Sequence, residues 1–241
     1  MKTSVVCAVM LCGLSMSVAA REIDRLDDLS QRQFKALSQD LAAVAGYKAV
    51  ASAKPQGVVG FDVGVNLTAT QVDSAAAWRV ATDGEDVDTV AVPKIYVRKG
   101  LPLDIDVGAY YVSVPGSNIE AWGGELQYAL LDGGLAAPAL AVRGTYTGIF
   151  GVDDLDFTTT SLELAVSKSF VLVTPYAGIG RQWTVSTPQG LAADIGLDEE
   201  SFADMKYFAG VVFSPAMFNL SVEYDVTGDV PSASVKLGLK F

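Results

Sequence analysis

Carboxylates supply most of the chemistry available to this 241-residue chain, which carries 28 Asp and Glu, 17 Lys and Arg, and no histidine. The absence of histidine removes the general base of serine hydrolases and the usual nitrogen ligand of zinc. Asp104 and Asp106 stand two residues apart, the spacing that puts two carboxyls on one face of a strand. Such a pair can act as an acid/base couple, but among other charges it more often joins ion pairs. Two acidic clusters, Asp83, Glu85, Asp86, Asp88 and Asp153, Asp154, Asp156, offer oxygen ligands suited to calcium. Neither has EF-hand spacing, and solvated loop charge is the expected role. Gly178-Ile179-Gly180 falls inside a strand pattern, not between a strand and a helix, so it is no phosphate loop. No metal, no cofactor and no enzymatic activity are expected.

The elements that hold these groups begin with an export signal. Lys2, an apolar stretch over residues 5–14, and the small residues Val18-Ala19-Ala20 have the three-part build of a secretory leader cleaved after Ala20. The stretch is short for a membrane span, and Arg21-Glu22-Ile23-Asp24 follows at once. Both cysteines, Cys7 and Cys12, lie in the leader, so the remaining 221 residues contain no disulfide. Val9-Met10-Leu11 lacks the small residue that precedes a lipidated cysteine. Loss of Lys2 leaves 16 basic against 28 acidic groups, a charge of −12 that excludes nucleic acid as a partner. Mean hydropathy is nevertheless positive, at +0.32, with no run of about 20 apolar residues after the leader. Apolar character is spread along the chain.

It is spread with period two. Ten alternating segments follow Gly57: 57–70, 88–99, 102–114, 118–131, 137–150, 157–169, 170–185, 204–213, 216–227 and 231–241. Most have 10 to 14 residues, long for a soluble sheet and suited to a tilted strand crossing a bilayer, which takes about 9–11 residues. The longest connections, 71–87 and 186–203, follow odd-numbered strands, and tight turns follow even-numbered ones. The stretch 75–80 can instead extend its flanking strands, which leaves eight or twelve strands as alternatives to ten.

Val235, Leu237, Leu239 and Phe241 alternate with Lys236, Gly238 and Lys240 and end the chain on an aromatic. This resembles the C-terminal strand of bacterial outer-membrane β-barrels, and the resemblance extends in pattern over residues 57–241. It implies an all-β, up-and-down antiparallel transmembrane barrel of about ten strands in the outer membrane of a Gram-negative bacterium. Outer-membrane lipids and lipopolysaccharide are the implied surroundings, and the C-terminal strand is implied to be read by the barrel assembly machinery. A shorter similarity, at Gly60-Phe61-Asp62-Val63-Gly64-Val65 and Trp122-Gly123-Gly124-Glu125-Leu126, is to a small bacterial family and implies no activity.

Strand parity then assigns side chains. The apolar face points to lipid, with Tyr111, Trp122, Tyr146, Trp183, Tyr207 and Tyr224 near the outer rim and Tyr128, Phe213, Phe218 and Phe241 near the inner one. The opposite face places Asp62, Lys94, Arg98, Asp104, Asp106, Glu125, Arg143, Glu163, Lys206, Glu223, Asp225 and Lys236 in the lumen, with acids slightly in excess. An interior filled with ion pairs is favoured over a polar path for small solutes. If the path conducts, neutralising Arg98 and Arg143 shifts its selectivity toward cations. Arg181 shares the lipid-facing parity and is tolerable only near the outer interface. Residues 21–56 form a separate region in which 22 to about 52 read as a helix and its exit, with Ile23, Leu26, Phe34, Leu37, Leu41 and Val44 near helical spacing and Pro55 and Gly57 ending it. A cap on the periplasmic side is its default place; plugging the barrel, lying on the inner leaflet and pairing with another helix remain open. The candidate functions are a narrow channel or closed-lumen barrel, and a structural or surface-interaction protein. A soluble ligand-binding barrel with its apolar face inside is less favoured.

Overall fold

The computed structural model describes residues 23, 25–113, 118–134 and 136–241; the leader, its cleavage site and both cysteines lie outside the described residues. Ten strands form one closed antiparallel barrel in which each strand pairs with its sequence neighbours and the first pairs with the last. They are β1 (Phe61–Gln71), β2 (Thr89–Leu101), β3 (Ile105–Ser113), β4 (Glu120–Leu131) and β5 (Ala139–Phe150). The circuit continues through β6 (Leu155–Ser167), β7 (Val173–Pro188), β8 (Glu200–Phe213), β9 (Phe218–Thr227) and β10 (Val230–Lys240). The barrel closes where Asp62 opposes Lys240 and Thr70 opposes Ser232.

Alternation along each strand sorts the wall. Outward positions expose Val65, Leu67, Ile95, Leu126, Leu162, Leu164, Val211 and Leu237, among many others. Inward positions bury Thr68, Thr70, Gln127, Thr147, Ser221 and Ser234. This is an inside-out arrangement relative to a soluble barrel, whose apolar face would line the interior. All ten rim aromatics named from the sequence are exposed on the outward face. Tyr111 opposes Trp122 toward the long-loop end, whereas Tyr128 opposes Ile105 and Phe218 opposes Leu239 toward the tight turns. Arg181 also points outward, and its guanidinium lies 5.9 Å from the Trp183 ring, which faces the long-loop rim.

Several boundaries differ from those read in the sequence. β1 starts at Phe61 and not at residue 57, because Gly57 adopts φ +76° and Gly60 donates back to the Gly57 carbonyl, turning the chain first. β8 starts at Glu200, four residues earlier than expected. The 75–80 stretch extends neither flanking strand: it belongs to helix α2 (Ala75–Ala81), and the other long connection holds α3 (Gly190–Asp194). No described helix is long and apolar enough to cross a membrane, a statement that does not bear on strands.

The region before the barrel also differs. A 3-10 turn covers Leu26–Asp28, and helix α1 covers only Gln31–Ala45. Ser30 begins α1 by donating its backbone N–H and hydroxyl to the Gln33 side chain, at 3.1 and 2.7 Å. Gly46 ends it, where a Cβ would stand 2.7 Å from the Ala42 carbonyl and 2.6 Å from Gln182 Oε1. Residues 46–56 then run non-helically down the barrel. The expected cap at the tight-turn end is not what forms. α1 enters the barrel from the long-loop end, with Ser38 hydrogen-bonded to Ser186 at 2.8 Å and the Ala42 carbonyl accepting from Gln182 at 2.8 Å. The physical reason is that its apolar face, Phe34, Leu37 and Leu41, finds a core there with Trp78, Val90, Val112, Ile149 and Phe157.

Candidate functional site

The lumen is built around the descending segment. Ten strands enclose more space than the eight whose own side chains fill a small barrel. One extra chain fits if its side chains are small, and the sequence here is Ala45-Gly46-Tyr47-Lys48-Ala49-Val50-Ala51-Ser52-Ala53. No strand lies beside this backbone to satisfy it, so the wall does so with side chains. The carbonyls of alternate residues accept in turn from Tyr110 Oη to Ala45 (3.0 Å), Lys206 Nζ to Tyr47 (2.6 Å) and Lys236 Nζ to Ala49 (3.4 Å). The series continues with Arg143 Nη2 to Ala51 (3.4 Å) and Gln127 Nε2 to Ala53 (3.3 Å). Gln56 N–H then donates to Asp106 Oδ1 at 2.9 Å. Five carbonyls at period two, each met by a different strand, hold the plug as a sheet neighbour would.

The donors are themselves fixed by a belt of charge. Asp106 on β3 pairs with Arg98 on β2 at 3.0 Å, and Arg98 with Glu125 on β4 at 3.1 Å. Arg143 on β5 bridges Glu125 at 3.3 Å and Glu163 on β6 at 3.1 Å, and Glu163 holds Lys206 on β8 at 2.7 Å. Asp62 accepts from Tyr96 and Asn219 and faces Lys236 at 3.6 Å. Glu223 accepts from Tyr176 at 2.7 Å. Lys94 lies 4.6 Å from the Tyr110 ring centre. The plug adds one charge of its own: Lys48 Nζ donates to Asp225 Oδ2 at 2.6 Å and to Ser232 at 3.2 Å, with both ionic side chains fully buried.

Every lumen residue named from the sequence is buried inside except Asp104. Asp104 is exposed on the turn between β2 and β3, where Leu103 and Asp104 take successive φ values of +66° and +56°; the strand begins only at Ile105. The carboxylate pair with Asp106 therefore does not exist. Removing Asp104 and adding Lys48, which the strand pattern could not reveal, turns the apparent acidic excess into six acids facing six bases. Inward aromatics were also missed. Tyr110, Tyr176 and Phe208 lie flat on the inner wall over Gly123, Gly210 and Gly178, where a Cβ would come within 2.2–2.5 Å of the ring or its hydroxyl.

At the long-loop end α1 is tied to the connections around it. Asp40 of α1 is 1% exposed and accepts from the backbone N–H groups of Asp73 and Ser74, from the Ser74 hydroxyl, and from Trp78 Nε1 at 2.9 Å. That carboxylate latches the β1–β2 connection onto the plug. Gln31 reaches the β7–β8 connection, donating to the Asp198 carbonyl at 3.0 Å and accepting from its N–H at 2.8 Å. The acidic loop residues stay at the surface, and among the described residues no cluster of His, Cys, Asp or Glu has the arrangement of a metal site.

No protein-family model and no curated relative matches the sequence. Among solved structures, the N-terminal barrel domain of Pseudomonas aeruginosa OprF superposes with a TM-score of 0.38 and 13% identity, over 75% of this chain and 99% of that one. The KdgM porin gives 0.37 and 9%, over 76% and 99%. Ail, the attachment invasion locus protein of Yersinia pestis, gives 0.30 and 13%, over 76% and 97%. Likeness at that level ties none of their roles to this chain.

Proposed function

We propose that this chain is a non-enzymatic barrel of a Gram-negative outer membrane, exported by a leader removed after Ala20, with a closed lumen and its working surface in the cap at the long-loop end. The single observation that carries the reading is the plug, whose backbone is held at alternate carbonyls from Ala45 to Ala53 by five wall side chains. Membrane residence is supported by the apolar outward wall and its two aromatic bands, because a closed barrel satisfies every backbone group in hydrocarbon. Outer-membrane lipid and lipopolysaccharide are the proposed surroundings, with Arg181 beside Trp183 near the rim that meets lipopolysaccharide. The alternation of Val235, Leu237, Leu239 and Phe241 is the proposed signal to the assembly machinery. An envelope-structural or surface-interaction role is preferred over passage of small solutes.

Two measurements test this. Refolded protein whose gel mobility shifts on boiling should leave a planar bilayer electrically silent; steady ohmic steps would mean that the plug does not close the path. S38C/S186C should then form a disulfide between α1 and β7, since the two hydroxyls are 2.8 Å apart and the exported chain has no other cysteine. The crosslink is read on a non-reducing gel, and its absence under oxidising conditions in a folded sample would place α1 outside the barrel.

A further inference from the structure

At the tight-turn end, below the last plug grips, a cavity of about 220 Å³ opens between the plug and the wall formed by β7 to β10 and β1. Its lining includes Lys54 on the plug, Lys240 near the end of β10, and the hydroxyls of Ser52, Ser169, Thr174 and Ser214. Arg98, Asp62 and Asn219 form its upper part. The carboxylates nearby are committed elsewhere. Asp62 is engaged by Tyr96, Asn219 and Lys236, and Asp106 by Gln56, Gln127 and Arg98. Lys54 and Lys240, by contrast, have no ion pair among the described residues. The other buried cations of the lumen face as many carboxylates, and Asp40, the further buried acid, lies at the opposite end, so these two ammonium groups are a local positive excess beside the hydroxyls of Ser52, Ser169 and Ser214.

We propose that this cavity binds a small oxyanion of the phosphate or phosphomonoester class. Two ammonium groups supply the charge, and the hydroxyls of Ser52, Ser169 and Ser214 donate to the remaining oxygens, with Thr174 donating to Ser169 at 3.3 Å. The volume exceeds that of bare phosphate and leaves room for a small ester group. Gly134, Ser169, Val171 and Ser214 belong to the turns after even strands, so the cavity opens at that end. Entry from the periplasm rests on the outer-membrane reading; the binding site itself does not.

The test is calorimetric titration of the full refolded chain in detergent with inorganic phosphate and with glycerol 3-phosphate, against sodium chloride of equal ionic strength. Saturable binding of either phosphate compound over chloride is expected, and the tighter of the two identifies the source as free phosphate or a phosphorylated small molecule. K54A/K240A should weaken it at least tenfold while the boiling-dependent gel shift persists; if that variant does not fold, K54Q alone should weaken it several-fold. Binding no stronger than chloride, or unchanged in the folded variants, would overturn the proposal. Conductance and phosphate binding are separate readouts, so a barrel that conducts can still bind phosphate, and a silent one can fail to.

Discussion

Replacing Arg143 with methionine is expected to destabilise the barrel by about 3–5 kcal/mol, the cost of breaking a buried ion pair by removing one partner. Arg143 is 1% exposed and stands between Glu125 and Glu163, donating also to Gln127 Oε1 at 2.8 Å and to the plug at Ala51. Its loss leaves Glu125 sharing only Arg98, and Glu163 only Lys206 and the Ser161 hydroxyl. Urea unfolding of the refolded protein in lipid, followed by tryptophan fluorescence, should show a lower midpoint with little change in slope. R143M/E125Q should recover part of the loss, because the neutral amide no longer needs the cation while Arg98 keeps Asp106 and Glu163 keeps Lys206. An R143M midpoint equal to that of the parent would mean that water, and not Arg143, solvates the two carboxylates. Neutralising Arg98 and Arg143 together, which in an open polar path shifts selectivity toward cations, should give no such shift while the plug is in place.

The second large effect is at the plug's own ion pair. D225A leaves the Lys48 ammonium in a dry wall with Ser232 as its remaining hydrogen-bond partner, and about 3–5 kcal/mol is again the expected loss. Unlike R143M, this change acts on the plug directly. Lys48 lies between the carbonyls gripped by Lys206 and Lys236, so expelling it should loosen both. The expected reading is intermittent conductance steps from D225A in a bilayer where the parent is silent. K48M/D225L, which replaces the pair with apolar groups of similar size, should be silent and close to parental stability. If D225A stays silent and fully stable, the plug is held by its carbonyl grips alone.

How much of this was visible in the chain divides along a physical line. Strands that face polar contents on one side and an apolar medium on the other must alternate, and alternation is written directly in residue order. Ten strands, their pairing and the inward position of Arg98, Arg143 or Glu223 follow from it. Asp104 failed because parity was counted through a turn, where Leu103 and Asp104 reverse the chain and periodicity has no meaning. Helices α2 and α3 were missed because seven and five residues are too few to display a 3.6-residue period. The plug was harder still. Its interior stretch is defined by smallness, Ala49, Ala51, Ser52 and Ala53, and a run of small residues in sequence also describes a linker. Lys48 alone among these residues hinted at a buried partner, but a lysine outside any strand pattern carries no inward or outward label. Phe34, Leu37, Leu41 and Val44 lie on the helix as their spacing suggested, whereas Ile23 and Leu26, read with them, precede it; what the helix met was fixed by the long loops, which have no periodicity to read.

The route of the plug constrains the order in which the molecule can be made. From the long-loop end the chain descends the lumen, turns at Gly57 and Gly60, and climbs again as β1, whose first residue exchanges two backbone hydrogen bonds with Phe241 at 3.0 and 2.8 Å. The seam therefore joins partners at opposite ends of the barrel sequence, the most non-local contact and the one with the highest closure entropy. Above it, Ile23, Leu26, Leu29 and α1 form one core with the long loops, a folded body that cannot be drawn through a finished barrel only ten strands around. As a folded body, the segment can be enclosed only while the wall is still an open sheet; to enter a closed wall it must thread the lumen unfolded. Enclosed in the first way, it is the mandrel around which the strands are wound, and the wall's buried cations then have their acceptors before the last edge closes.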